Sequence, residues 1–229
     1  MREGCAECDV PAFNETNGKG LLRFVAINVE RKTSRSQVTL VWNTKGGDLS
    51  QNKKLLSSSD KKLKALKLYL LDHQSADFQM HSLWVHYHAA WKHTNSVFGR
   101  EEKSWSLLHG SEFLEEQLNL PFLSLKDEHE VRLQFTPNVF RQANIDAFTN
   151  IISSIRHELK YKLFTNHKTN IKKQNMKCVE LYGGVGTIGL HVAHLFDSFT
   201  TSDENPYNVA CFNEAVSRLP SSIRQNIRK

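Results

Sequence analysis

No apolar run in this 229-residue chain exceeds a handful of residues, far short of the ~18 needed to cross a bilayer. The opening stretch, Met1 to Phe13, lacks a basic segment followed by an apolar one, so no secretory leader is read. Cysteine is scarce: four residues, Cys5, Cys8, Cys178 and Cys211, do not make a disulfide framework. A reducing, intracellular setting fits them, either cytoplasmic or organellar. Acidic residues are outnumbered, 24 against 30 basic ones, for a net charge of +6. A membrane span, a secreted scaffold and a fibrous protein are excluded. What is present, 39% hydrophobic and 24% charged residues, suffices for a packed core, and the length suits about one to two domains.

The basic excess is clustered: Lys53, Lys54, Lys61, Lys62, Lys64 and Lys67; then Lys160, Lys162, Lys168, Lys172, Lys173 and Lys177; then Arg218, Arg224, Arg228 and Lys229. Such clusters suit a polyanionic partner, DNA or RNA, and equally suit solvated helix faces. No aromatic residues are interleaved with them as in a nucleic-acid motif.

The first half reads as strands and turns. Leu22–Glu30 alternates, with Val25, Ile27 and Val29 on one side, and Val38, Leu40 and Trp42 repeat the period after a polar turn, giving a hairpin. Residues 44–60 read as loop, with Ser59 or Asp60 capping a helix marked by Leu63, Leu66 and Leu70. His81–His88 alternates again, and two more strands are expected near Trp105 and Val131. This is a segment rich in antiparallel strands. Near Gln134 the character changes. Thr136 and Pro137 read as the N-cap and first residue of a long helix striped by Ile145, Phe148, Ile152, Ile155 and Leu159. Then come a strand over Cys178–Tyr182, a glycine turn, a helix over Thr187–Phe196, a strand over Ser198–Ser202 and a helix over Asn208–Leu219. Strand, glycine turn, helix, strand opens a parallel βαβ unit, of which about one and a half are present.

Chemistry concentrates in Glu180-Leu-Tyr-Gly-Gly-Val-Gly-Thr-Ile-Gly189. Glycines let a backbone approach a ligand closely, and a following helix N-terminus offers unpaired N–H groups. Asp203 ends the next strand, about 20 residues on, where a carboxylate can accept ribose hydroxyls. Gly184-x-Gly186-x-x-Gly189 also satisfies the dinucleotide spacing. A nicotinamide or flavin dinucleotide and S-adenosyl-L-methionine therefore compete. Cys5-Ala-Glu-Cys8 has metal-ligand spacing but no second pair nearby. His86 with His88, and His191 with His194, are pairs that eleven histidines make common. No metal site is assigned.

Four ordered segments resemble the RNA (uracil-5-)-methyltransferase family. Thr136-Pro-Asn-Val-Phe-Arg-Gln-Ala-Asn144 is similar to its Ser/Thr-Pro-x-x-Phe-x-Gln-x-Asn segment, and Glu180–Gly189 to its acidic-Leu-Tyr-x-Gly-x-Gly-x-x-Gly turn. Ser202-Asp-Glu-Asn-Pro206 is similar to the following acidic motif, and Gly18-Lys-Gly-Leu-Leu-Arg-Phe24 to the Gly-x-Leu-Arg-His start of its central β-rich domain. The resemblance spans residues 18 to 219. It implies an α/β fold: a partial Rossmann-like S-adenosyl-L-methionine-dependent methyltransferase domain over 134–229, preceded by a β-rich α+β domain over 18–133 and an N-terminal segment, 1–17.

The activity implied is methylation of uridine C5 in tRNA or rRNA. The resemblance places Gln142, Tyr182, Gly184, Gly186, Thr187 and Asp203 around the methyl donor. It departs where the chemistry is hardest. The family's Asp-Pro-Pro-Arg and nucleophile-bearing Ser-Cys-Asn-Pro strings do not occur here. Cys178 reads as a strand thiol and Cys211 as helix packing, so no nucleophile and no base are assigned. The sequence is expected to be an incomplete, inactive portion of such an enzyme. The alternatives are a remnant that binds RNA or the methyl donor without chemistry, and an oxidoreductase using a dinucleotide.

Overall fold

The computed structural model describes residues 1–44, 53–88, 104–120, 129–165 and 175–228. The chain divides into two compact units, Met1–Leu114 and Glu115–Lys229.

In the first unit a short helix, α1 (Arg2–Glu7), precedes β1 (Leu22–Val29), β2 (Ser36–Asn43), α2 (Lys53–Asp72), β3 (Met80–His88) and β4 (Trp105–Gly110), forming a sheet in the order β1-β2-β3-β4. The β1–β2 hairpin is antiparallel, as its short connecting turn implies, with Val25 opposite Leu40 and Ile27 opposite Val38. The central pair is different: β2 and β3 run parallel. A parallel pair needs a long crossover, and α2 supplies it. That helix begins at Lys53, not at the Ser59 or Asp60 cap expected from sequence. Leu63, Leu66 and Leu70 bury against Val38, Leu40, Trp42, Leu83 and Val85, so the leucine stripe reads the correct face. Both β2 and β3 are central strands, and nearly every residue along them is buried.

The Gly18–Phe24 motif makes a corner. Gly20 sits at φ +106 with its α-carbon against the Ala12 and Phe13 backbone, where a side chain has no room. The Arg23 guanidinium lies 4.2 Å over the Phe13 ring, 3.2 Å from the Glu15 carboxylate and 2.8 Å from His88 Nδ1. His86 stacks on Trp105 at 4.4 Å.

The second unit holds a two-stranded sheet of β5 (Leu114–Gln117) and β6 (Arg132–Phe135), the helix α3 (Ile145–Thr165), and a parallel sheet β7-β8-β9. Its strands are β7 (Lys177–Leu181), β8 (Ser198–Ser202) and β9 (Ile227–Arg228). Between them lie α4 (Gly189–Val192), a 3₁₀ turn (Ala193–Leu195), α5 (Tyr207–Ser217) and α6 (Ser221–Arg224). The long helix begins eight residues later than the Thr136–Pro137 signal. Asn144 is its cap, its Oδ1 accepting the Ala147 N–H at 3.0 Å, while Thr136 and Pro137 form a turn whose Thr136 hydroxyl bonds Asn138 Oδ1 at 2.6 Å. Asparagine is as strong an N-cap as threonine and wins here because the chain is still turning at Pro137. Ile155, Leu159 and Leu163 of α3 pack with Cys178, Val192, Leu195 and Phe199 on one face of the parallel sheet.

The opposite face of β7 is open: Val179 and Leu181 are each 67% exposed. The helix expected over Thr187–Phe196 is instead the four-residue α4 followed by the 3₁₀ turn, and strands β9 and β5 were not legible in the sequence. Leu66 is fully buried at the centre of the first unit's core. Leu66→Ala is expected to destabilise that unit by about 2–5 kcal/mol, read as an earlier midpoint in urea denaturation.

Candidate functional site

The loop between β7 and α4 is shaped by glycine. Gly184 (φ +60) and Gly186 (φ +87) take the left-handed conformation, and Tyr182 takes it too at φ +56. A bulky residue in that region is strained and held there by its surroundings. Tyr182 is 79% exposed and lies one residue past β7, so the strand expected to run to Tyr182 ends at Leu181. A side chain at Gly184 would meet nothing within 4 Å, whereas one at Gly186 would press on Leu190 and Phe212. Gly184 thus faces open space, and Gly186 brings the loop down onto the helices.

Two carboxylates fasten this loop. Glu180, on β7, accepts the Gly189 N–H through Oε1 and the Thr201 hydroxyl through Oε2, both at 3.0 Å. Side chains at Gly183 or Gly189 would overlap that carboxylate. Asp203, at the tip of β8, accepts the Gly184 N–H through Oδ2 at 2.9 Å, and through Oδ1 the Asn205 N–H and the Asn208 amide, both at 2.8 Å. The parallel register, with Leu181 opposite Ser202, sets the glycine turn beside the tip of β8. A ligand hydroxyl reaching Oδ2 shares it with the Gly184 N–H. Sequence reasoning named Asp203 but gave Glu180, Thr201 and Asn208 no part; the acidic residue opening the glycine motif was the available signal for the first of these.

Gln142 lies in the extended segment before α3, not on the helix. It lines a small cavity with Thr187, Arg141, Phe148 and Glu116, so two of the six expected ligand residues meet there. Arg141 and Glu116 form a buried ion pair in its wall. The same segment reaches the Asp203 turn, where the Asn205 amide donates to the Asn138 carbonyl at 3.2 Å.

The cysteines do not behave as nucleophiles. Burial, and then Glu180, push the Cys178 thiol up; burial does the same first for Cys5 and Cys8. Cys211 is wholly buried, its sulfur 3.4 Å from the Thr136 hydroxyl. A thiol held protonated is a poor nucleophile. Among the described residues no three His, Cys, Asp or Glu side chains gather as metal ligands, and no helix is long and apolar enough to cross a membrane.

The His191 and His194 pair serves packing. His191 is buried, and its Nδ1 donates to the Thr187 carbonyl at 2.7 Å; the His194 ring meets the His129 ring edge-on at 5.1 Å.

No family model matches the sequence. A curated protein from Protochlamydia amoebophila, described as an uncharacterized RNA methyltransferase, is 28% identical over 217 residues, covering 94% of this chain and 46% of its own length. The structure is similar over 100% of the chain to that of the Pyrococcus abyssi tRNA (uracil-54, C5)-methyltransferase in complex with S-adenosyl-L-homocysteine, with a TM-score of 0.59 and 18% identity, and it covers 44% of that chain. The likeness is to RNA methyltransferases. In fold this is the α/β architecture expected, and the chain spans about half the length of these relatives.

His191 gives a pH signature. Burial first, with Arg156 and His129 adding to it against the Thr187 hydrogen bond, lowers its pKa from 6.5 to about 4. The neutral ring therefore stabilises the fold above pH 6.5, and that contribution is lost as pH falls toward 4. The gap corresponds to about 3 kcal/mol. Thermal melts between pH 7 and 4 are expected to show a drop that is smaller in His191→Gln; equal drops in both proteins would assign the acid sensitivity elsewhere.

Proposed function

We propose that this chain carries the S-adenosyl-L-methionine-binding part of an RNA methyltransferase, of the kind that methylates uridine at C5. One observation carries the reading. Gly184, left-handed and open on its side-chain side, is tied by its N–H to the Asp203 carboxylate at the tip of the adjacent parallel strand. A ligand with a ribose can lie along that backbone and reach that carboxylate. The complex of the Pyrococcus enzyme with S-adenosyl-L-homocysteine supports the same ligand class.

In this reading Asp203 accepts ribose hydroxyls, and the backbone from Tyr182 to Gly186 forms the floor. Thr187 and Gln142 close one side. The exposed Tyr182 ring covers the other and excludes water. Bound there, the donor supplies an electrophilic methyl group on a positively charged sulfur. Glu180 keeps the loop folded over its own strand. The open Val179 and Leu181 face calls for a covering layer, since parallel sheets are normally covered on both faces.

RNA is the proposed partner, tRNA or rRNA. The exposed Lys61 and Lys64 on α2 suit phosphate contacts. Other basic residues are engaged internally: Lys62 with Asp9 at 2.6 Å, and Arg218 with Glu214 at 2.9 Å and with Glu115. The Lys168, Lys172 and Lys173 cluster lies outside the described residues. A second reading, binding without chemistry, is favoured for this portion taken alone by its protonated or buried thiols.

Calorimetry of the 229-residue chain is expected to show saturable S-adenosyl-L-homocysteine binding. Asp203→Ala is expected to weaken it at least about tenfold, the scale of a hydrogen bond to a charged group, and NAD is expected not to bind. Binding that ignores Asp203→Ala, or a preference for NAD, would overturn the reading. With tritiated methyl donor and RNA, this chain alone is expected to make no 5-methyluridine.

A further inference from the structure

The structure assigns Asn208 as the positioning residue for the Asp203 carboxylate, acting through it on recognition of a ribose. This rests on the proposed nucleoside site and goes beyond it, because Asn208 belongs to no motif of the sequence.

The argument starts from burial. Asn208 is the second residue of α5 and is only 4% exposed. Asparagine is seldom buried so fully without a polar reason. Its Nδ2 donates to Asp203 Oδ1 at 2.8 Å, and the orientation of the amide follows, since the opposite rotamer would set oxygen against oxygen. Its own Oδ1 is buried without a hydrogen-bond partner. An orphaned acceptor in a core is unfavourable. The residue is therefore kept for the bond on its other side.

That bond joins two others on the same carboxylate. Asn205 N–H and Asn208 Nδ2 fix Oδ1 from the α5 side, and Gly184 N–H meets Oδ2 from the loop. With Oδ1 held by two donors, Oδ2 is the oxygen that meets the glycine loop. Without Asn208, Oδ1 keeps the Asn205 N–H but loses the side-chain donor, and the carboxylate is held less firmly. Donors fixed on one oxygen and a ligand read by the other is the arrangement in which a remote side chain tunes the group that makes contact.

The test uses the whole chain, with S-adenosyl-L-homocysteine as the probe and thermal melting as a check of folding. Asn208→Ala is expected to weaken binding about tenfold, the scale of one hydrogen bond to a charged acceptor. Asn208→Asp fills the same volume and brings a second carboxylate to Asp203, so one of the two must hold a proton to restore the bond. Its binding is expected to be weak at pH 8 and to recover several-fold toward pH 5.5, beyond any change in the wild-type chain over the same range. Loss of packing alone gives no such recovery.

If both variants melt normally and bind like wild type at either pH while Asp203→Ala binds poorly, the positioning role is overturned and the nucleoside site stands. If the wild-type chain does not bind the probe, the nucleoside site itself falls and takes this inference with it. If Asn208→Ala does not fold, the pH dependence of Asn208→Asp decides: recovery in acid supports the role, and its absence overturns it.

Discussion

Two carboxylates hold one glycine loop, Glu180 from beneath and Asp203 from the neighbouring strand, and the geometry of the site depends on both. Gly186 N–H bonds the Gly183 carbonyl within the turn at 2.8 Å, and the N–H groups that the turn does not satisfy internally must find other acceptors. Here Gly189 finds Glu180 and Gly184 finds Asp203. The parallel pairing of β7 with β8 makes this possible, since it sets the tip of β8 beside the start of the loop. The glycines are the other half of the arrangement. Gly183 and Gly189 leave the space that the Glu180 carboxylate and its neighbours occupy, and Gly184 leaves open the space that a ligand would take. The motif reads as a cradle because its empty positions are of two kinds, one filled by the protein and one not.

Asp203 holds the loop through Gly184, Tyr182 is 79% exposed, and Gln142 meets Thr187 across a small cavity walled by the Arg141–Glu116 pair. Cys211 is buried, and partial burial pushes the Cys5, Cys8 and Cys178 thiols up. The chain spans 46% of the length of a curated relative, and the methyl-donor site is proposed for the glycine loop it contains.

Much of this was legible in the sequence, and the reasons are specific. The Leu63, Leu66 and Leu70 stripe shows its helix because burial on one face imposes the helical period, and Val38, Leu40 and Trp42 show their strand through alternation. Parallel pairing of β2 with β3 was not legible, since alternation says which face is buried and nothing about strand direction; the length of α2 is what demanded a crossover. The start of α3 was misplaced because Thr136-Pro137 and Asn144 are both valid caps, and only tertiary context selects Asn144. Strand β9 is two residues long, too short for any period to show. At the site, the glycine spacing and Asp203 were visible as a pattern. Thr201 and Asn208 were not, because each acts through a carboxylate brought to it by the fold.

The most direct measurement is a crystal structure of this chain grown with S-adenosyl-L-homocysteine. The ribose is expected to lie against Gly184 with a hydroxyl in hydrogen-bond distance of Asp203, the Glu180–Gly189 bond intact beneath it. Density for the ligand elsewhere, or a Gly184 cleft closed by protein side chains in every copy, would contradict the account at its centre.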